Sequence, residues 1–128
     1  MQAVEAPGWE DVERPRVIVV SPLAAREGRT VEDHEEYLGR CLEHCLLNGW
    51  APMAGHGLFP RFFPDSDPEQ VERCMQAQWA WTPSASFIAI FNDYGVAGRM
   101  LDDLRFYRTF DVDIRFIRIG KNKKRKRK

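Results

Sequence analysis

Two apolar runs without alternation constrain this chain more than any other feature. Residues 17–20 are Val-Ile-Val-Val, and Phe87–Phe91 reads Phe-Ile-Ala-Ile-Phe. An unbroken apolar run of this length, rich in β-branched and aromatic residues, predicts a strand that is buried on both faces. Such strands belong to parallel sheets that carry helices on both sides. The chain is therefore predicted to be an α/β protein.

The segments between and after these runs have the pattern of helices and shorter strands. We predict strands at 16–21, 50–54, 87–91 and 113–119, and helices at 31–47, 68–81 and 97–110. Thr30 with Asp33, and Asp67 with Pro68, are typical helix starts. The resulting βαβαβαβ order predicts one Rossmann-like, flavodoxin-like three-layer domain. Its parallel sheet has four to five strands, with the order 2-1-3-4 expected for four.

Length and charge divide the chain further. Its 128 residues suit one domain, and we assign residues 1–15 to an irregular arm, 16–120 to the domain and 121–128 to a basic tail. The tail holds seven of the 19 Lys and Arg residues and no acid, which leaves 12 basic and 19 acidic residues in 1–120, a net −7. We expect a solvated, disordered tail, with weak contact to a polyanion or to the acidic body as alternatives.

No stretch has the composition of a membrane span or a secretory signal, so we expect a cytoplasmic protein that does not contact membranes. Cys41 and Cys45 fall on the apolar stripe of the first helix, with His34 and His44 nearby, but their spacing matches no familiar zinc pattern. Free thiols in a reducing compartment are the expectation, and no cofactor or metal is predicted.

Ligands of parallel sheets bind beyond the carboxyl ends of the strands. Polar, cationic and aromatic side chains follow three of the predicted strands there. Hydroxyl and guanidinium groups suit a phosphate, aromatic rings suit a base, and a carboxylate beside a ribose suits nucleophilic attack or charge stabilisation at the anomeric carbon. The predicted substrate-binding residues are Ser21, Pro22, Arg26, His56, Phe59, Asn92, Asp93, Arg99 and Met100, and the predicted catalytic residue is Asp103.

Several of these residues also have a structural interpretation: Asp103 can be a surface acid of its helix, and His56 can be a satisfied polar residue at the start of a loop. Ser21 can simply end a strand, Arg26 can be a solvated loop charge, and Phe59 can anchor the loop to the core or to a partner subunit. His56 stands between Gly55 and Gly57, which indicates that the backbone approaches something closely at this point.

Four motifs in this order resemble the nucleoside 2-deoxyribosyltransferase-like superfamily, especially its small phage and bacterial members. They are the strand ending in Ser21-Pro22, Gly49-x-x-Pro52, His56-x-Leu58-Phe59-Pro60, and the strand–turn–helix with Met100 followed by an acid. The resemblance covers residues 16–119. It implies action on the N-glycosidic bond of a (deoxy)nucleoside or its monophosphate, without a cofactor, by a protein that forms homo-oligomers.

The chain departs from that family at three places. The glutamate nucleophile of active relatives corresponds to Asp103, whose carboxylate stands about 1.5 Å further back. A supporting aspartate corresponds to Gln78, and the Ser-x-Gly-Met pattern reads Ala97-Gly98-Arg99-Met100. Two functions therefore stay open: an N-glycosidase or deoxyribosyltransferase, and a non-catalytic protein that binds a nucleotide-like ligand and contacts polyanions through its tail.

Overall fold

The computed structural model describes residues 13–64 and 66–121. Most of the predicted N-terminal arm and nearly all of the basic tail lie outside the described residues. The domain predicted at 16–120 is described apart from Asp65.

A four-stranded sheet of parallel strands forms the centre of the domain. The strands are β1 (Arg16–Val20), β2 (Ala51–Met53), β3 (Phe87–Phe91) and β4 (Asp113–Ile117), in the order β2-β1-β3-β4. This confirms the α/β class and the predicted strand order. Pro52 lies in the edge strand β2, where a missing N–H removes no bond from the interior of the sheet.

Three helices connect the strands: α1 (Val31–Leu47), α2 (Pro68–Trp79) and α3 (Arg99–Tyr107). Thr30 and Asp33 form the capping box at the start of α1, and the Asp67 carboxylate accepts the backbone N–H groups of Glu69 and Gln70 in α2. Helix α3 starts two residues later than predicted. Gly98 precedes it with φ 57° and ψ −131°, a backbone conformation that is not helical.

The helices cover the two faces of the sheet and complete three layers. On one face, α1 packs against Val17, Val19 and the odd-numbered residues of β3 through Tyr37, Leu38, Cys41 and Cys45. On the other face, Ile18, Val20 and the even-numbered residues of β3 pack against Met100, Leu104 and Tyr107 of α3, with Trp79 of α2 beside them. All three cysteines are free thiols, and burial raises the pKa of Cys45 to about 11.

Asp93 joins the segment after β4 to α1 by hydrogen bonds. Its carboxylate accepts the Tyr37 hydroxyl at 2.5 Å and the backbone N–H groups of Ile119 and Gly120 at 3.0 and 2.8 Å. Desolvation raises the pKa of Asp93, but the hydrogen bonds from Tyr37, Ile119 and Gly120 outweigh it and hold that pKa below its ordinary value. Asp93 therefore stabilises the fold in its ionised form.

Replacing the carboxylate of Asp93 tests its contribution to the stability of the fold. Asp93→Ala should lower the free energy of unfolding by about 2 kcal/mol at pH 7, because the buried Tyr37 hydroxyl loses its acceptor. A carboxyl with a lowered folded pKa stabilises above its unfolded pKa and loses this effect as the pH falls through the folded pKa. The difference between wild type and variant, measured in urea, should therefore shrink in acid.

Asp113 provides the matched control, since its exposed carboxylate pairs with the exposed Arg115 at 2.9 Å. Asp113→Ala should change the free energy of unfolding by less than about 0.5 kcal/mol. Equal losses for the two variants would contradict the role of Asp93.

Candidate functional site

A cavity of about 250 Å³ opens at the carboxyl edge of the sheet. The segment after β1, the loop after β2, one face of α2 and the start of α3 form its walls. Its lining is mostly apolar with a few polar groups, which is the usual character of a small-molecule site. The residues that line it are Ser21, Pro22, Leu23, Ala24, Arg26, Gly55, His56, Phe59, Pro60, Phe63, Val71, Cys74, Met75, Gln78, Ala97, Gly98, Arg99, Met100 and Asp103.

The structure brings eight of the ten predicted site residues to this cavity. They are Ser21, Pro22, Arg26, His56, Phe59, Arg99, Met100 and Asp103. Asn92 and Asp93 do not line it. They follow β3, but the carboxylate of Asp93 is bound by Tyr37 and by the chain after β4, as described above. Sequence order alone does not show that this turn faces α1.

Ser21 and His56 form a hydrogen-bonded pair in the wall of the cavity. Ser21 Oγ lies 2.7 Å from Nε2 of His56, although 35 residues separate them in the sequence. Desolvation lowers the pKa of His56 to about 4, so the imidazole is neutral at pH 7. A neutral imidazole can either accept the hydroxyl proton or donate its own, and the pair therefore offers one oriented polar group to a ligand.

The glycines on either side of His56 place its turn between two helices. A Cβ on Gly55 would lie 2.5 Å from Oε1 of Gln78 in α2, and a Cβ on Gly57 would lie 2.6 Å from Cδ2 of Leu38 in α1. Both distances are shorter than real contacts allow. The close approach predicted from the Gly-His-Gly pattern is confirmed. It allows this turn to pack against both helices.

Adding one methyl group at this turn should disturb the cavity. Gly55→Ala should lower the free energy of unfolding by about 1–3 kcal/mol, because the new Cβ overlaps the side chain of the buried Gln78. Thermal and urea unfolding measure this change. Gly39→Ala in α1 is the control, since its Cβ meets nothing within 4 Å and alanine is the better helix former. A harmless Gly55→Ala variant would contradict the close approach.

Asp103 is the acidic group of the cavity. Desolvation raises its pKa to about 6, with a smaller contribution from the neighbouring Asp102, while a hydrogen bond from Trp79 and the charge of Arg99 oppose the rise. Asp102 itself is exposed and lies 3.6 Å from Arg105. Burial thus separates two consecutive aspartates into one surface charge and one perturbed cavity acid, a combination typical of functional sites.

The ionised Asp103 should reduce stability at neutral pH. A carboxyl whose pKa is higher in the folded chain binds its proton more tightly when folded, so stability falls as the pH rises from about 4 to about 6. Asp103→Asn should therefore raise the free energy of unfolding by about 1–2 kcal/mol at pH 7, after allowance for partial exposure. Below pH 4 the gain should vanish, as urea titrations at both pH values will show. If Asp103→Asn were less stable than wild type at pH 7, the expected destabilisation by the ionised Asp103 would be contradicted.

Two polar side chains of α2 and α3, Gln78 and Tyr107, are joined by a hydrogen bond. Gln78 donates from Nε2 to the Tyr107 hydroxyl at 3.2 Å, and both side chains are buried. Burial raises the pKa of Tyr107, and the charge of Asp103 adds to this rise. Sequence reasoning did not place Tyr107 or Trp79 near the site, since both read as apolar positions of their helices. Cys74 also lines the cavity and was not predicted there.

Cationic groups stand at the rim of the cavity. Arg26 belongs to a tight turn in which Arg26 and Arg29 exchange both backbone hydrogen bonds, at 2.9 and 3.0 Å. Glu27 and Gly28, between them, have φ of 50° and 79°, as a type I′ turn requires. The side chain of Arg26 is 43% exposed and pairs with Glu27 at 3.1 Å. Arg99, also exposed, is the first residue of α3. The rim thus combines guanidinium groups with a helix N-terminus, both of which attract anions.

A second, larger cavity of about 560 Å³ lies against α1 and shares part of this wall. Leu38, Leu42 and the exposed Leu58 give it an apolar surface. Five residues line both cavities: Pro22, Leu23, Ala24, His56 and Pro60.

Fold and site define a single Rossmann-like α/β domain with a ligand-sized cavity at the carboxyl edge of a parallel sheet. The chain belongs to the family described as Domain of unknown function (DUF7768), whose model matches residues 15–117. Searches of curated proteins and of solved structures gave no match. Within the described part of the chain, no helix is long and apolar enough to cross a membrane. Residues 13–64 and 66–121 also contain no group of three His, Cys, Asp or Glu residues that could hold a metal ion.

Proposed function

We propose that this protein binds a (deoxy)nucleoside or its monophosphate in the cavity and cleaves its N-glycosidic bond. The observation that carries the proposal is Asp103, a desolvated carboxylate in a mostly apolar cavity at the carboxyl edge of the sheet. The resemblance to nucleoside 2-deoxyribosyltransferase-like proteins, found from motifs in the sequence, supports the same reaction.

In the proposed reaction, an oxygen of the ionised Asp103 forms a bond to the anomeric carbon of the sugar. The bond from that carbon to the base nitrogen breaks, and the base leaves with the electron pair and takes up a proton from water, which is returned to the solvent when the ester is hydrolysed. Water then attacks the glycosyl ester and releases the sugar and the free carboxylate. Attack by the nitrogen of a second base instead makes the protein a transferase.

The surrounding residues supply recognition. The Ser21–His56 pair presents a hydroxyl and an imidazole to the sugar, at 2.7 Å from one another. Phe59 and Phe63 line the cavity beside them and offer faces on which a base can stack. Arg26, Arg99 and the N-terminus of α3 would bind a 5′-phosphate.

The test is release of base from a panel of deoxynucleosides and their monophosphates, followed by chromatography. We expect release from at least one substrate, with activity falling as the pH drops through about 6, because only the ionised Asp103 is a nucleophile. Asp103→Asn should reduce kcat at least 100-fold. Asp102→Asn is the matched control, because it removes an exposed charge one residue away and should keep its activity near wild type.

A non-catalytic ligand-binding protein is the second candidate. It is favoured by Gln78, since this amide occupies the position of the supporting aspartate and is engaged by Tyr107. Thermal-shift measurements separate the two candidates: a ligand at about 100 times its Kd adds about 2.7 kcal/mol of stability. Binding without base release would favour this second function, and Asp103→Asn with wild-type turnover would overturn the proposed reaction.

A further inference from the structure

A tryptophan from α2 holds the acid of α3. The indole N–H of Trp79 donates to Oδ1 of Asp103 at 2.8 Å. The same indole lies flat on the ring of Phe106, with centroids 4.3 Å apart and planes 7° apart. Phe106 follows Asp103 by three residues and therefore lies on the same side of α3. Helix α3 therefore makes two contacts with the indole of Trp79: Phe106 stacks on its ring, and Asp103 accepts its N–H.

We propose that Trp79 is a positioning residue, which holds Oδ1 of Asp103 and so directs Oδ2 to the ligand in the cavity. This inference rests on the proposed function, because it assigns the attacking oxygen of the same carboxylate. The hydrogen bond from Trp79 falls on Oδ1 of Asp103, and Asp103 lines the cavity. Trp79 itself does not line the cavity, so its action on the ligand passes through Asp103.

The stacking on Phe106 explains why an indole is a suitable hydrogen-bond donor to Asp103. A flexible donor would lose side-chain entropy on binding the carboxylate, whereas the stacked ring is already held. The side chain of aspartate is shorter than that of glutamate, so the carboxylate of Asp103 has less reach toward a sugar carbon. Small displacements of a reacting atom reduce reaction rates strongly. A fixed carboxylate plane would limit that loss. The hydrogen bond also favours the ionised form and opposes the desolvation that raises the pKa of Asp103.

The protonation of Asp103 is the property to measure, and several titratable or charged groups surround it. Arg99, Asp102 and Tyr107 lie on α3 itself, while Cys74 of α2, Arg26 after β1 and His56 after β2 line the same cavity. With its pKa lowered to about 4, His56 stays neutral near pH 6. A titration centred near pH 6 at Asp103 is therefore distinct from that of His56.

NMR of the full chain tests the proposal without any substrate. The indole N–H signal of Trp79, assigned by its loss in Trp79→Phe, should titrate with a midpoint near pH 6 and become independent of pH in Asp103→Asn. Phenylalanine keeps a ring on Phe106 but removes the donor. In Trp79→Phe the carboxyl carbon of Asp103 should therefore titrate about one pH unit higher.

Trp81→Phe is the matched control, because Trp81 follows closely in sequence and is 58% exposed. It should leave the Asp103 midpoint unchanged. If the protein releases base, Trp79→Phe should lower kcat about 10- to 100-fold with little change in KM, and should move the acidic limb of the pH profile upward.

The outcomes separate this inference from the proposed reaction. If the protein releases no base but the indole signal of Trp79 titrates together with Asp103, the proposed reaction is wrong and the positioning of Asp103 by Trp79 is supported. An indole signal that ignores pH around 6 in wild type, or an Asp103 midpoint equal in wild type and Trp79→Phe, overturns the positioning role even if base is released.

Discussion

The burial of β1 and β3 on both faces is the constraint on which the rest of this structure depends. Residues 17–20 and 87–91 are at most 2% exposed, so each face of the sheet needs its own cover. Helix α1 covers one face, and α2 with α3 covers the other. Since parallel strands need crossover connections, the loops that carry polar residues meet at the carboxyl edge. The location of the cavity follows from this arrangement.

Within the cavity, desolvation favours the neutral form of two titratable groups, His56 and Asp103. It removes the positive charge from His56 by lowering its pKa to about 4, and it raises the pKa of Asp103 to about 6. At neutral pH the site therefore offers one neutral imidazole and one carboxylate that is mostly ionised. The hydrogen bond from Trp79 helps to keep that carboxylate charged in apolar surroundings. This pattern suits chemistry at a carbon that develops positive charge.

The sequence predicts the fold well because its signals are local. Unbroken apolar runs, the caps at Thr30 and Asp67, and glycine and proline breaks predict the four strands and three α-helices and their order, but not the three short 3-10 helices in the loops. Boundaries differ by a few residues: α3 begins after Gly98, whose φ and ψ exclude it from the helix. Within α1, Tyr37 is fully buried although it carries a hydroxyl, whereas the apolar Leu46 is 57% exposed. Side-chain type alone could not distinguish them, because the tyrosine needs Asp93, 56 residues away, to bury its hydroxyl.

The site was predictable only where the sheet edge determines position. Ser21, His56 and Asp103 could be placed together because each follows a strand, but Trp79 could not, since its contact depends on how α2 packs on α3. Asn92 also follows a strand, yet it does not line the cavity. Its turn faces the α1 side of the sheet, and the packing of Tyr37 on Tyr94, with centroids 4.9 Å apart, joins the two.

The turn from Gly55 to Gly57 has a mechanical consequence. It touches Gln78 on one side and Leu38 on the other, and these residues belong to helices on opposite faces of the sheet. A displacement of His56 would therefore press on both outer layers at once, and each layer would have to repack against the sheet to accommodate it. The cavity wall at this turn is therefore backed by both outer layers of the fold.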